Sequence, residues 1–337
     1  MLNRFTRRFA LLMSAALMFT GLAHAQEQKI RISHGHGLLY LPLMVMRDQG
    51  LIEKQAKAMG LGQAQVSWVV LDGGNVINDA MLAGNLDVAG IGAPGFLTLW
   101  SKARGIPRSE VIGLSALSSS ALWLNTTNPA IKSVKDIGPK DKIAIPGIKT
   151  SLSAVVLQMV AAKTFGVEQY DKLDANTVSL AHPEAMNALL TGKTEINAHL
   201  TSPPFSYMEL QNPKVHRVFD STEVLGNITL DVVFASKRFV DERPKLVAAF
   251  LAAQEEANAL IAKDRKAAAQ IYLRVSSAKL SLDEVEKMLA DPAMTFSTTP
   301  VSVMDYAVFM SKAGTIKTKP GKWTDLFVPN LHTKQGS

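Results

Sequence analysis

Lys29-Ile30-Arg31-Ile32-Ser33 alternates apolar and polar side chains, His34-Gly35-His36-Gly37 follows, and Leu41-Pro42-Leu43-Met44-Val45-Met46-Arg47-Asp48-Gln49 then runs to Gly50. The first piece has the period of a strand, the His/Gly tetrapeptide reads as a loop, and the third piece is a helix for which Gly50 is the stop signal. The order repeats downstream. Val66–Leu71 is rich in β-formers and ends at Asp72-Gly73-Gly74-Asn75, and Val76–Ala83 is a short helix closed by Gly84. Asp87–Ile91 is an apolar strand, Gly92-Ala93-Pro94-Gly95 opens another helix, and Val111–Leu117 is a strand again. Strands alternating with helices over one stretch indicate an α/β sheet with parallel strands.

The pattern then restarts. Ala121–Asn125 and Lys142–Ile145 are short apolar strands, Ser151–Phe165 is helical up to Gly166, and Thr177–Leu180, a helix at Pro183–Leu190, Ile196–Leu200 and Val215–Phe219 complete a second α/β unit. Leu230–Ala235 is one more strand, after which the chain is mostly helical. Leu246, Val247, Phe250, Leu251, Ala257, Leu260 and Ile261 share one helical face. Ser281-Leu282-Asp283-Glu284 is a helix start of the capping-box type. There is no internal repeat and no Pro/Gly/Ser-rich linker, so the two units are expected to pack against one another.

The 337 residues are enough for two such units, and the 47% hydrophobic, 19% charged composition is that of a globular protein. The absence of cysteine excludes a disulfide scaffold, a Cys-ligated metal or cluster, a thiol nucleophile and a lipid attached to cysteine. Residues 1–25 read as a secretory signal: Arg4, Arg7 and Arg8, an apolar run from Phe9 to Ala23, and Ala23-His24-Ala25 as the cleavage site. Cutting after Ala25 places the remainder in a periplasm, where ATP and NAD are scarce. Removing those three arginines from 36 basic residues against 29 acidic ones lowers the net charge from +7 to +4. The remaining Lys and Arg are scattered, without the aromatic interleaving of a nucleic-acid surface.

Several motifs suit a ligand site. Gly90-Ile91-Gly92-Ala93-Pro94-Gly95 matches a dinucleotide fingerprint on paper, but it is the third strand–helix turn and no acid follows at the required distance. It remains a place where backbone N–H groups at a helix start can approach an anion, or a structural turn. Lys149-Thr150-Ser151 opens a long helix and forms a candidate anion cradle, with simple N-capping as the alternative. His34 and His36 face the same side; a metal pair lacks further ligands nearby, so hydrogen bonding to an anion or a loop role is preferred. Tyr40 suits a pocket wall or the core. Ser118-Ser119-Ser120 joins the two units, and Thr201-Ser202-Pro203-Pro204 ends a strand; Ser119, Thr201 and Ser202 could offer hydroxyls to ligand oxygens. No G-x-S-x-G elbow, H-E-x-x-H helix or carboxylate pair after strands is present, and His182 and His199 have no triad spacing.

Tyr40–Leu51, the Gly73-Gly74-Asn75 turn before Ala80–Ala89, Ile143-Ala144-Ile145-Pro146 before the Thr150-Ser151 helix, Ala185–Gly192 before Glu195–Ala198, and Phe234–Val240 before Pro244 occur in a familiar order and spacing. Together they resemble the periplasmic solute-binding proteins of ABC importers in the nitrate/sulfonate/taurine group, over nearly the whole mature chain. The resemblance implies an α/β, two-lobed type II periplasmic binding protein fold, with lobe 1 from residues 26–118 plus 227–337 and lobe 2 from 119–226. It implies crossings near Ser118–Ser120 and Leu225–Thr229 as hinge. It lines the cleft with His34, His36, Tyr40, Gly74, Asn75, Gly92, Ala93 and Pro94 from lobe 1, and with Lys149, Thr150, Ser151, Thr201 and Ser202 from lobe 2. No arginine stands in these loops. The function implied is capture of a small organic anion, a sulfonate, taurine, nitrate or aromatic acid, by a monomer without cofactor, and delivery to a membrane permease with its ATPase. The alternatives are a ligand sensor for a membrane receptor, or an enzyme on the same scaffold.

Overall fold

Strand β1 (Gln28–His34) lies between β2 (Ala64–Val70) and β3 (Val88–Gly92), parallel to both, and its Ile30 and Ile32 are fully buried. These strands belong to a computed structural model that describes residues 28–337; the leader read at 1–25 lies outside the described residues. Helices α1 (Leu41–Asp48) and α2 (Leu51–Ala58) follow β1. The sequence reading ended the helical segment at Gly50. Gly50 does end α1, in a left-handed conformation with φ 58, but the chain turns there straight into α2, which buries Leu51, Ile52 and Ala56. Helix α3 (Gly74–Leu82) precedes β3, and α4 (Ala93–Ala103) and β4 (Val111–Ser118) follow it.

The second unit holds β5 (Trp123–Thr126), β6 (Ile143–Ile145), α5 (Leu152–Phe165), β7 (Thr177–Ser179), α6 (His182–Thr191), β8 (Ala198–Thr201), α7 (Phe205–Leu210), β9 (His216–Asp220) and α8 (Ser221–Leu225). The chain then returns as β10 (Asp231–Ser236), α9 (Lys237–Glu242), α10 (Pro244–Lys263), α11 (Arg265–Ser276), α12 (Leu282–Leu289) and α13 (Val303–Lys312). Ser281 and Glu284 form the expected capping box at α12. Helix α10 buries Leu246, Val247, Phe250, Ala257 and Ile261 and packs on α1 and α2.

The two sheets have the same plan. One runs β2-β1-β3-β10-β4 and the other β7-β6-β8-β5-β9. In each, one strand is antiparallel to both neighbours: β10 between β3 and β4, and β5 between β8 and β9. The purely parallel expectation is corrected here. The odd strand of each sheet is the one that has just arrived from the other sheet, so it enters from the side between them and runs against its neighbours. The consequence is positional. The C-terminal ends of β1, β2, β3, β6, β7 and β8 and the N-terminal ends of β5 and β10 all face the same intervening space.

The chain crosses between sheets at 119–122 and at 226–230. Both crossings are tied to a third segment: the Ser119 and Thr295 N–H groups donate to each other's carbonyls at 2.9 and 3.0 Å, and the Thr229 N–H donates to the Val301 carbonyl at 3.0 Å. No described helix is long and apolar enough to cross a membrane.

Candidate functional site

Four helices start at the space between the sheets, two from each: α3 at Gly74 and α4 at Ala93, facing α5 at Leu152 and α6 at His182. Each start carries unsatisfied N–H groups and partial positive charge. Between them is a small cleft of about 40 Å³, walled by His36, Tyr40, Asp72, Gly73, Gly74, Gly92, Thr150–Ser153, His182, Ser202 and Asp231, with Leu39, Ile77, Ile91, Gly95, Leu122 and Pro146 completing it. No Lys or Arg stands on its wall.

Three of the polar groups were not found in the sequence. Asp72 follows β2 and uses its carboxylate as a bracket: one oxygen accepts from the Gly73 N–H at 3.1 Å, the other from the His182 N–H at 3.3 Å. It thus occupies two of the four helix starts and links the two units. Asp231, the first residue of β10, is 1% exposed. Its Oδ1 accepts from the Tyr40 hydroxyl at 3.2 Å, and its Oδ2 has no partner. Burial pushes the Asp231 carboxyl up to about 7, with the Tyr40 hydrogen bond and the neighbouring Ser118 hydroxyl opposing and the Asp72 charge adding. Burial, with Asp231 and Asp72 adding, raises the Tyr40 phenol well above its ordinary value, so it stays a donor.

His182 ends a buried chain in the second unit. Its Nδ1 lies 2.9 Å from His199 Nε2, and His199 Nδ1 lies 2.5 Å from Glu209 Oε1. The Glu209 carboxylate accepts from His199 Nδ1–H, and the contact between His199 Nε2 and His182 Nδ1 shares one hydrogen between the two rings. The Thr201 hydroxyl sits 3.1 Å from the same His182 Nδ1, and Phe205 stacks on the ring at 5.5 Å. Burial draws His182 down to about 4 against the attraction of Asp72, so the imidazole is neutral. Among the described residues, no hydroxyl on the cleft wall is hydrogen-bonded to it, and no group of three or more His, Asp or Glu side chains is placed to hold a metal.

The units meet closely around this cleft. A Cβ on Gly92 would lie 2.7 Å from Leu152 Cβ, and one on Gly73 would lie 2.7 Å from the Pro146 carbonyl oxygen. The Leu38 N–H donates to the Pro203 carbonyl at 3.0 Å, and the Thr150 hydroxyl donates to Asn75 Oδ1 at 2.9 Å. Farther out, the Tyr207 and Tyr170 hydroxyls donate to Asp291 at 2.7 Å and to the Ala313 carbonyl at 3.0 Å. This is a closed arrangement.

The profile of the NMT1-like family matches residues 23–275. The chain belongs to that family. No curated protein sequence matches this NMT1-like chain. Many solved structures share its fold. The alkanesulfonate-binding protein SsuA from Xanthomonas axonopodis pv. citri, bound to MOPS, has a TM-score of 0.68 at 18% identity, covering 86% of this chain and 95% of that one. The periplasmic aliphatic sulphonate binding protein SsuA from Escherichia coli has a TM-score of 0.63 at 18% identity, over 87% and 90%. The periplasmic nitrate-binding protein NrtA from Synechocystis PCC 6803 has a TM-score of 0.68 at 12% identity, over 87% and 83%. The NMT1-like chain therefore has the two-lobed periplasmic binding protein fold.

Of the residues singled out in the sequence, the structure of the NMT1-like chain brings His36, Tyr40, Gly74, Gly92, Thr150, Ser151 and Ser202 to the cleft wall. The others stand elsewhere. His34 is buried behind the loop, its ring 6.2 Å from Tyr40 and 6.3 Å from Trp68. Ala93 spends its N–H on the Leu230 carbonyl at 2.8 Å, and Pro94 lies inside α4 with no place on the wall. Ser119 belongs to the crossing, and Thr201 is fully buried behind His182. Lys149 is exposed, with φ 66, and points no charge at the cleft wall. Asn75 and Thr150 are spent on each other. Ser151 caps α5, accepting from the Ala154 N–H at 3.2 Å and donating to the Gly147 carbonyl at 2.6 Å. The Ser151 hydroxyl is thus committed within lobe 2, while the first-turn N–H groups of Leu152 and Ser153 have no intrahelical acceptor.

Proposed function

We propose that this NMT1-like protein is the solute-binding component of an ABC importer. It is exported by the leader at 1–25, captures a small organic acid between lobe 1 (26–118 with 227–337) and lobe 2 (119–226), and delivers it to a membrane permease and its ATPase. The lobes move about the crossings at 119–122 and 226–230. The observation that carries this reading is the convergence of two helix starts from each lobe on one enclosed polar cleft. A solute bonded to both lobes stabilises the closed state and not the open one.

The chemistry suits an acid without a cationic partner. The free N–H groups at the start of α5 and the α4 start serve its oxygens. Asp231 titrates near 7 and, when protonated, donates to the same group; His36, His182, Asp72 and Tyr40 face it.

The test is a thermal-shift screen of residues 26–337, refolded to strip carried-over solute, against sulfonates, taurine, nitrate and aromatic acids. At a hundredfold excess over Kd a solute adds about 2.7 kcal/mol to stability. The expected result is a shift by one class of acid, stronger at pH 6 than at pH 8. A panel without any shift overturns the reading.

A further inference from the structure

A second cavity, of about 380 Å³, lies against the polar cleft and shares His36 with it. Its walls come from both lobes and are mostly apolar: Met44 and Tyr272 from lobe 1, and Met186, Phe205 and Met208 from lobe 2; His34, His36 and Ser276 are its neutral polar members, and Lys279 stands exposed at its edge. His34 is 2% exposed and its Nε2 has no partner. The other ring nitrogen, Nδ1, lies 2.8 Å from the Gly35 carbonyl oxygen, which can only accept. Nδ1 therefore carries the hydrogen, and burial keeps the ring neutral, so Nε2 is a bare acceptor lone pair. A buried acceptor without a donor is unfavourable unless something brings one.

Size points the same way. The polar cleft, at about 40 Å³, has room for about three water-sized groups, enough for the acid group of a solute but not for an organic body. The neighbouring chamber falls within the roughly 300–1,000 Å³ of small-molecule pockets, which are apolar with a few placed polar groups. Methionine walls adapt to aromatic guests through sulfur–ring contacts. Because both lobes contribute, an occupant also favours closure.

We propose that this chamber receives the body of the transported solute, an aromatic or branched aliphatic group bearing one O–H or N–H donor directed at His34 Nε2. The assignment rests on the receptor reading above and narrows it: the solute is an acid with a donor-bearing apolar body, not a bare small anion.

The chamber is tested apart from the cleft with two neutral probes of one shape, phenol and toluene. Mature protein labelled at the methionine methyls is titrated with each and followed by NMR. Phenol is expected to shift the Met44, Met186 and Met208 methyls saturably, with at least threefold higher affinity than toluene. His34→Leu should remove that preference. Met186→Trp, a substitution at a half-buried position that fills the chamber, should remove both shifts. A second arm compares 4-hydroxybenzoate and 4-hydroxybenzenesulfonate with acetate and methanesulfonate. The aromatic acids are expected to bind at least tenfold more tightly, and Met186→Trp should cancel the gain while leaving the small acids unchanged. Absence of saturable shifts, or equal affinity for phenol and toluene, overturns the chamber and leaves the receptor reading intact if the small acids still bind. Phenol binding without binding of any acid overturns the receptor reading, and with it the role of the chamber in transport.

Discussion

The two walls of the cleft are built from the same sheet plan but left in opposite states. On the lobe 1 wall, Asp231 Oδ2 is buried without a well-formed hydrogen bond, the neighbouring Ser118 hydroxyl easing its charge, and behind that wall His34 Nε2 has no partner. On the lobe 2 side, Ser151 both caps α5 and donates to Gly147, Thr201 is bonded to His182, and an unbroken chain runs from His182 through His199 to Glu209. The buried unpartnered atoms that lobe 2 does contain, on Asn125, Gln158 and Ser206, are off the cleft wall. A buried polar atom without a partner costs roughly 1–3 kcal/mol, and an incoming solute recovers that cost only where such atoms exist. In its side chains, lobe 1 is therefore the side that recognises and lobe 2 the side that closes, meeting a solute through the first-turn N–H groups of α5.

The largest effect expected from this contrast is the loss of the lid. Gly92 has ordinary extended backbone angles (φ −55, ψ 136), so alanine fits lobe 1 by itself. Its Cβ would then lie 2.7 Å from Leu152 Cβ of the closed lobe 2. Gly92→Ala should leave the unfolding transition of the solute-free protein within a degree or two. Solute affinity should fall more than a hundredfold, and small-angle scattering should show an open shape even with solute present. Unchanged affinity would mean that the closed contact seen here is not the binding state.

The next effect sets an acid of lobe 1 against a base of lobe 2. Asp231 is raised to about 7, so the native state takes up its proton well before the unfolded chain does, and stability rises as pH falls from about 7 toward 4. His182 is lowered to about 4, so the unfolded chain takes up that proton first, and stability falls as pH drops from about 6.5 toward 4. Each shift corresponds to roughly 3–4 kcal/mol, and the two oppose. Urea unfolding of the wild type should therefore depend little on these groups between pH 4.5 and 6.5. Relative to it, Asp231→Asn should lose about 2–3 kcal/mol on acidification, and His182→Gln should gain a similar amount. Parallel pH profiles for the three proteins would show that the two walls are not opposed in this way.

The direction of each strand decides how much of this site is legible in the sequence. Sequence reasoning looks for ligand loops where strands end, and His36, Tyr40, Gly74, Gly92, Thr150, Ser151 and Ser202 all follow parallel strands. Asp231 begins a strand. It reaches the cleft only because β10 arrives from the other lobe and runs against its neighbours, a fact carried by topology rather than by local pattern. Asp72 was in view at the end of β2, but its role depends on meeting the His182 N–H from 110 residues away. The His182–His199–Glu209 chain needs three elements side by side. The single legible clue was the placement of His182 just before Pro183, where a helix starts. The glycines of Gly90–Gly95 show the same limit. Their pattern left close approach of a ligand and a structural turn equally open, and only the packed structure shows Gly90 making room for Leu43 and Tyr40, Gly95 for Ile91, and Gly92 for the opposite lobe.

The smallest expected effect separates the two hydroxyls that the sequence grouped together. Thr150 reaches across to Asn75 Oδ1, a partly exposed bond between lobes, and such a bond contributes about 0.5–1.5 kcal/mol. Thr150→Val should weaken solute binding about threefold without moving the melting temperature of the solute-free protein. Asn75→Ala should do the same, and the double variant should do no more, because both remove one interaction. Ser151 is committed within lobe 2, so Ser151→Ala should cost about 1 kcal/mol of stability as a lost helix cap and leave closure alone. If Ser151→Ala weakens binding and Thr150→Val does not, lobe 2 offers its hydroxyls to the solute after all, and the division between a recognising lobe and a closing lobe is wrong at the one place where the two come closest to sharing the work.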